Sequence, residues 1–232
     1  MVQYSLELAL FDLVPVVFSA FGFYFMAMTI TQMRASLRKV AFFSVALIVT
    51  GGLLKVSWKI FIAAASVDYY WMNNALFIFM APGFTLLCYT FWLAKNQVNG
   101  NTISFSIRPA LVPIILLGGF ALYAALAFPE KRYWFFVLLM WLTIASTIFS
   151  VMVITYGFKQ RLPLGAILLS LNLFANFALA GLARTGDQSE AMQWIMEITN
   201  ACSQFCFAFG AWLLYQHRRA REDNLVLATE SA

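Results

Sequence analysis

The sequence predicts an all-α integral membrane protein, a single bundle of seven transmembrane helices with the N-terminus outside and the C-terminus in the cytoplasm. Of its 232 residues, 62% are apolar and only 11% are charged, whereas soluble domains are about half apolar and about a quarter charged. The apolar residues fall in seven stretches of about 20 residues, the length that crosses a hydrocarbon layer. Lys and Arg accumulate in alternate connections between these stretches.

The seven predicted spans follow one another with short connections. They cover residues 8–31, 40–65, 75–94, 110–128, 133–156, 164–183 and 191–215. Each span must be helical, because backbone in lipid has to satisfy its own hydrogen bonds and these runs lack the alternation of barrel strands. The spans account for most of the chain, so residues 1–232 are predicted to form one membrane domain without a separate soluble domain.

Proline and glycine mark particular points in the first three spans. Pro15 is expected to bend the start of span 1, and Pro82 is expected to kink span 3 near its middle, because proline removes one backbone hydrogen bond. Gly51 and Gly52 in span 2 favour the close approach of a neighbouring helix.

The fourth span, 110–128, separates two triplets of helices with a weak resemblance to each other. An ungapped alignment of span 3 with span 7 places Phe84 opposite Phe207 and matches aromatic and basic residues near both ends. The sequence therefore predicts weak parallel three-helix repeats, 8–94 and 133–215, around a linker helix, a relation known among transporters.

The orientation follows from the distribution of Lys and Arg. One set of connections and the C-terminal tail hold ten basic residues: Arg34, Arg38, Lys39, Lys95, Arg108, Lys159, Arg161, Arg218, Arg219 and Arg221. The opposite set holds Lys131, Arg132 and Arg184. Short basic loops stay in the cytoplasm, which places the N-terminus outside.

The same distribution accounts for the net charge of +5. Nucleic acid is therefore not predicted as a partner, and the lipid bilayer is. Short tails and the absence of an Asn-x-Ser/Thr sequon favour a bacterial inner membrane.

Ionisable and amide side chains inside the spans form the predicted functional site. An ionisable group near the bilayer centre costs at least about 2.5 kcal/mol, so such groups face the bundle interior or a wet cavity. Spacings of three and four residues align these side chains on shared helix faces. The predicted ligand-binding residues are Asp12, Lys55, Asn172, Asn176, Glu197, Asn200 and Gln204. They are expected to form a polar layer in the outer half of the bundle.

Lys55 and Glu197 are expected to be near neighbours that face each other between spans 2 and 7. A rise of about 1.5 Å per residue places both at a similar depth, and each needs a counter-charge to stay ionised there. Lys59 lies nearer the outer end of span 2, and its ammonium is expected to reach the headgroups while its stem follows the helix.

Two functions remain open from the sequence. The polar layer binds a small polar or anionic solute that enters from outside, as in a carrier, or it is the structural network of a non-catalytic accessory or sensory subunit that docks to a partner membrane subunit. The first function predicts a water-accessible cavity bounded by Lys55 and Glu197. The second predicts that these residues are paired and dry.

No catalytic residue, metal site or cofactor is predicted. The single histidine, His217, lies in the tail, and the sequence has no HExxH or GxSxG motif. The three cysteines, Cys88, Cys202 and Cys206, lie inside apolar stretches without further metal ligands. Seven spans with an outside N-terminus are similar to the layout of microbial rhodopsins, which attach retinal to a Lys in the last span, but span 191–215 contains no Lys.

The predicted orientation is testable with reporter fusions. Fusions after Arg34, Asn99, Gln160 and His217 should all report the cytoplasm, because these points follow the basic connections. A periplasmic signal from any one of the four fusions would overturn the predicted order of spans.

Overall fold

The computed structural model describes residues 5–101, 103–184 and 189–230, with side chains as far as Arg221. Within these residues the chain is helical and contains no strand. The α-helices are α1 Leu6–Phe11, α2 Leu13–Met33, α3 Arg38–Ala65, α4 Tyr70–Val98, α5 Arg108–Ala127, α6 Tyr133–Lys159, α7 Pro163–Ala183 and α8 Glu190–Glu230. A short 3-10 helix, Ala35–Leu37, joins α2 to α3.

Among the described residues, six helical segments are long and apolar enough to cross a membrane. They are Leu6–Met33, Ala35–Ala65, Tyr70–Val98, Arg108–Ala127, Tyr133–Lys159 and Pro163–Ala183. The predicted seventh span, 191–215, is present as part of α8, which carries more polar side chains and is not one of the six. These helices indicate an integral membrane protein, as the sequence predicts; the seven-span count and the orientation stay predictions.

The helix of the first span is interrupted at Asp12, between α1 and α2. Pro15 has no N–H to donate to the carbonyl of Phe11, and its ring crowds that turn of the helix. The N–H of Asp12 still bonds the Leu8 carbonyl at 3.1 Å and so closes α1. This break is confined to Asp12, whose backbone stays in the right-handed helical region at φ −63° and ψ −13°, so the bend expected from Pro15 stays a prediction. The Asp12 side chain is buried in the bundle.

Six helices form a closed ring, and α5 lies outside it. Around the ring, α2, α3, α4, α6, α7 and α8 each contact the next, and α8 contacts α2. Helix α5 packs on α6 and α4, and its outward side chains include Ile115, Leu116 and Leu126, which are 66 to 74% exposed. The two predicted repeats correspond to the two halves of the ring, and their internal similarity stays a prediction.

The core is dense at one end of the bundle and sparse at the other. The dense end, called the basic end, holds Arg34, Arg108, Lys159 and Arg218; the opposite end is called the far end. Helix α7 shows the difference, because its buried residues all lie in 165–172 and none of residues 173–183 is buried. Helix α7 therefore packs tightly only in its half toward the basic end.

Helices α3 and α4 approach each other closely at Gly51. A Cβ at Gly51 would lie 3.0 Å from the Leu76 carbonyl oxygen and 2.9 Å from Met80 Cγ, whereas a Cβ at Gly52 would meet Val16 at an ordinary 3.7 Å. The close packing predicted for the glycine pair therefore applies to Gly51.

Replacing Gly51 with Ala should destabilise the protein. The added methyl group meets a backbone carbonyl that cannot move aside, and overpacking of this kind costs roughly 1–3 kcal/mol, more than the 0.5–1 kcal/mol or so that Gly→Ala gains in a helix. The matched control is Gly118→Ala on α5, where a Cβ would meet nothing within 4 Å. Thermal unfolding in detergent should show a lower Tm for Gly51→Ala and an unchanged or higher Tm for Gly118→Ala; equal Tm values would contradict the packing.

Candidate functional site: a polar cavity inside the ring

Three charged side chains meet at the far end of the ring. The ammonium Nζ of Lys59 lies 2.7 Å from Asp12 Oδ2 and 2.6 Å from Glu197 Oε1. Asp12 comes from the break between α1 and α2, Lys59 from α3 and Glu197 from α8. We call Asp12, Lys59 and Glu197 the charge triad. Because ions removed from water need close partners, the triad fixes these three parts of the chain to one another.

The charge triad corrects two predictions. Lys59 does not reach the headgroups: it is 7% exposed, and α3 continues for six more residues, about 9 Å, beyond it. Glu197 pairs with Lys59 and not with Lys55. Two carboxylates from neighbouring helices offer the Lys59 ammonium stronger partners than distant headgroups would, and they leave none for Lys55.

A cavity of about 360 Å³ lies inside the ring. Its wall is formed by α2, α3, α4, α6, α7 and α8, and its volume is within the range of small-molecule sites, about 300–1,000 Å³. Six of the seven predicted site residues line it: Asp12, Lys55, Asn172, Asn176, Asn200 and Gln204. Glu197 lies behind the wall, in the charge triad.

Lys55 is a charged side chain of this region that takes no part in the charge triad. It lies one helical turn from Lys59, about 6 Å along α3, on the cavity wall, and it is partly exposed. Within the ranges that the structure describes, no carboxylate oxygen lies within 4.0 Å of its ammonium. Lys55 therefore presents a positive charge that is free to meet an occupant of the cavity.

The four carboxamides divide into one structural side chain and three adaptable ones. Asn172 donates to both the carbonyl and the hydroxyl oxygen of Ser203, at 3.0 and 2.9 Å, and is 6% exposed, so it joins α7 to α8. The other contacts are long: Asn176 donates to Asn172 and Gln204 donates to Asn200, both at 3.5 Å. Asn176, Asn200 and Gln204 can exchange such weak bonds for bonds to a ligand.

A stripe of hydroxyl groups on α6 was missed by the sequence analysis. Thr143, Ser146, Thr147 and Ser150 all line the cavity. Their spacing of three, four and seven residues is the one-face pattern of a helix, so the signal was present in the sequence. Ser203, the partner of Asn172, was also missed, because its role depends on the neighbouring helix.

Four aromatic rings close the cavity toward the basic end. Phe23 lies 5.4 Å from Phe84 and 4.7 Å from Phe207, and Phe84 lies 6.2 Å from Phe149, measured between ring centroids. The four rings come from α2, α4, α8 and α6, all line the cavity, and each residue is at most 8% exposed. We call them the aromatic floor. The cavity thus has a charged and amide-rich region toward the far end and an apolar base.

Replacing Lys59 with Met should be strongly destabilising. It leaves two carboxylates buried beside each other, and losing one partner of a buried pair costs roughly 3–5 kcal/mol. The matched control is Lys55→Met, one turn away, which removes no ion pair and should change the free energy of unfolding far less.

A neutral triad, Lys59→Met with Asp12→Asn and Glu197→Gln, should recover much of the loss, because it removes the uncompensated charges. Thermal unfolding and yield in detergent measure all three variants. Equal losses for Lys55→Met and Lys59→Met would show that the triad does not hold the fold.

The described residues contain no group of three or more His, Cys, Asp or Glu side chains placed to hold a metal ion. The cavity wall carries one ammonium outside the ion pairs, together with amides, hydroxyls and an aromatic base, groups that can form hydrogen bonds and apolar contacts with a small molecule. No protein-family model, curated protein or solved structure matches this chain, so its function is argued from this geometry.

Proposed function

We propose that this integral membrane protein binds a small polar or anionic solute in the ring cavity and carries it across the membrane, with Lys55 as the counter-charge of the solute. The observation that carries the proposal is the Lys55 ammonium, which lies on the wall of a 360 Å³ cavity while the other three charged groups of this region bond to one another.

An unpaired ammonium at this depth is costly for a purely structural bundle. Lys55 lies ten residues, about 15 Å, from the end of α3, and ionisable groups within membrane spans mark solute pathways. A structural protein would gain stability from an apolar residue at this position. Amides and hydroxyls from α6, α7 and α8 on the same wall add donors and acceptors for an occupant.

The proposed carrier has its basic end in the cytoplasm and takes solute at the far end, from outside. The aromatic floor closes the cavity on the cytoplasmic side. The tail of α8 contributes Arg218, Arg219 and Arg221, whereas burial, with help from Arg221 and Arg218, lowers the pKa of His217 and keeps it neutral near pH 7. Three arginines at this end suit contact with anionic lipid headgroups of the inner leaflet.

A second candidate function, an accessory or sensory subunit with a structural polar network, is favoured by the charge triad. Asp12, Lys59 and Glu197 bond to one another as that function predicts. The two functions differ in what surrounds Lys55: water and solute in a carrier, packed protein or lipid in an accessory subunit.

Cysteine labelling at position 55 separates the two functions. In a chain with Cys88, Cys202 and Cys206 replaced by Ala, Lys55→Cys should react with a membrane-impermeant anionic methanethiosulfonate added to right-side-out vesicles, because the cavity is open to water from outside. Ser44→Cys, on the same helix and 0% exposed, is the matched control and should not react. Lys55→Cys that stays unmodified in both right-side-out and inside-out vesicles rejects the carrier in favour of the accessory subunit.

A further inference from the structure

We infer that the solute is a zwitterion with an apolar body, the class of the apolar α-amino acids. The inference rests on the proposed function and names the substrate class of the same cavity. Three features of the cavity carry it: the balance of charges, the position of those charges on the wall, and the aromatic floor.

The charges beside the cavity already cancel. In their ordinary ionised forms, Asp12 and Glu197 contribute two negative charges, and Lys55 and Lys59 contribute two positive charges. A bound monoanion would leave a net negative charge in a region of low dielectric constant, where an uncompensated charge is costly. A zwitterion satisfies Lys55 and leaves the sum at zero.

The wall presents the two signs of charge at separate places. Lys55 stands unpaired, while the charge triad one turn away has a net negative charge and reaches the wall through Asp12. A ligand carboxylate bound to Lys55 therefore places an adjacent ammonium where the triad attracts it. The side-chain oxygens of Asn200 and Gln204, which line the same region, are acceptors for the N–H groups of that ammonium.

The base of the cavity is lined by apolar side chains that can contact an apolar part of the ligand. Ile48 also lines the cavity. It lies seven residues before Lys55, a distance of about 10 Å along α3. Beyond the amides, this length is bounded by Ile48, Met80 and the aromatic floor. A branched aliphatic or aromatic side chain fills this base with apolar contacts, whereas a small hydrophilic molecule leaves apolar surface in contact with water.

A set of four probes tests each part of the inference. They are L-leucine, 4-methylpentanoate, which lacks the ammonium, 3-methylbutylamine, which lacks the carboxylate, and glycine, which lacks the apolar body. Calorimetric titration of the full chain in detergent should give a Kd for L-leucine at least ten-fold lower than for each of the other three. Lys55→Met should weaken L-leucine binding at least ten-fold and should not weaken the binding of 3-methylbutylamine, which has no carboxylate and is no longer repelled by the Lys55 ammonium.

A substitution in the aromatic floor tests whether the apolar side chain of the ligand binds there. Phe84→Leu enlarges the base and should shift the ratio of Kd values at least three-fold in favour of L-phenylalanine over L-leucine. The matched control is Phe91→Leu on the same helix: Phe91 packs on Phe149 at 5.9 Å but does not line the cavity, and it should leave the ratio unchanged. An equal ratio in both variants overturns the assignment of the apolar body to the floor.

The outcomes separate this inference from the proposed function. If 4-methylpentanoate binds as tightly as L-leucine, the solute is an anion; if glycine does, the floor contributes nothing. Either result overturns the inference that the solute is a zwitterion with an apolar body, while the proposal that the cavity binds a solute stands. If none of the probes binds but Lys55→Cys is labelled from outside, the inference again falls and the proposed function stands. If none of the probes binds and Lys55→Cys is not labelled, both the inference and the proposed function are rejected.

Discussion

The two ion pairs of Lys59 are the constraint on which this structure depends. Charges in a bundle of apolar helices must find partners within the protein, and here one ammonium serves two carboxylates. Because these groups come from the α1–α2 break, α3 and α8, the contact joins the first and last helices of the ring through a third helix. Asp12 lies at the junction between α1 and α2, and its buried carboxylate contacts Lys59 there.

The charge triad also determines what is left for function. Three of the four charged side chains in this region pair with one another in the triad. The fourth, Lys55, lines the cavity. The aromatic floor closes the cavity toward the basic end, and α5 packs on the outside of the ring and contributes no residue to the cavity wall. In the proposed carrier, structural and binding roles are thus divided between two lysines one helical turn apart on the same face of α3.

The sequence predicted the helices and the amide and ionisable residues of the cavity wall because hydrophobic length and helical spacing are local properties. The start of α6 at Tyr133 and the end of α7 at Ala183 coincide with the predicted bounds, and six of the seven predicted site residues line one cavity. The partner of Glu197 was not predicted. Depth counted along a helix carries an error of 2–4 residues, which is the distance between Lys55 and Lys59, and the rotation of each helix is set by its neighbours.

The half of α7 toward the far end, where no residue is buried, has a thermodynamic consequence. No residue from 173 to 183 is buried, whereas α3, α4 and α6 keep buried residues in the same half of the ring, such as Val56, Met72 and Leu138. A molecule seated in the cavity supplies contacts that the polypeptide omits and thereby becomes part of the hydrophobic core. Occupancy and fold are then linked equilibria: each increase in free solute above its Kd adds to the free energy of unfolding as RT ln(1 + [L]/Kd).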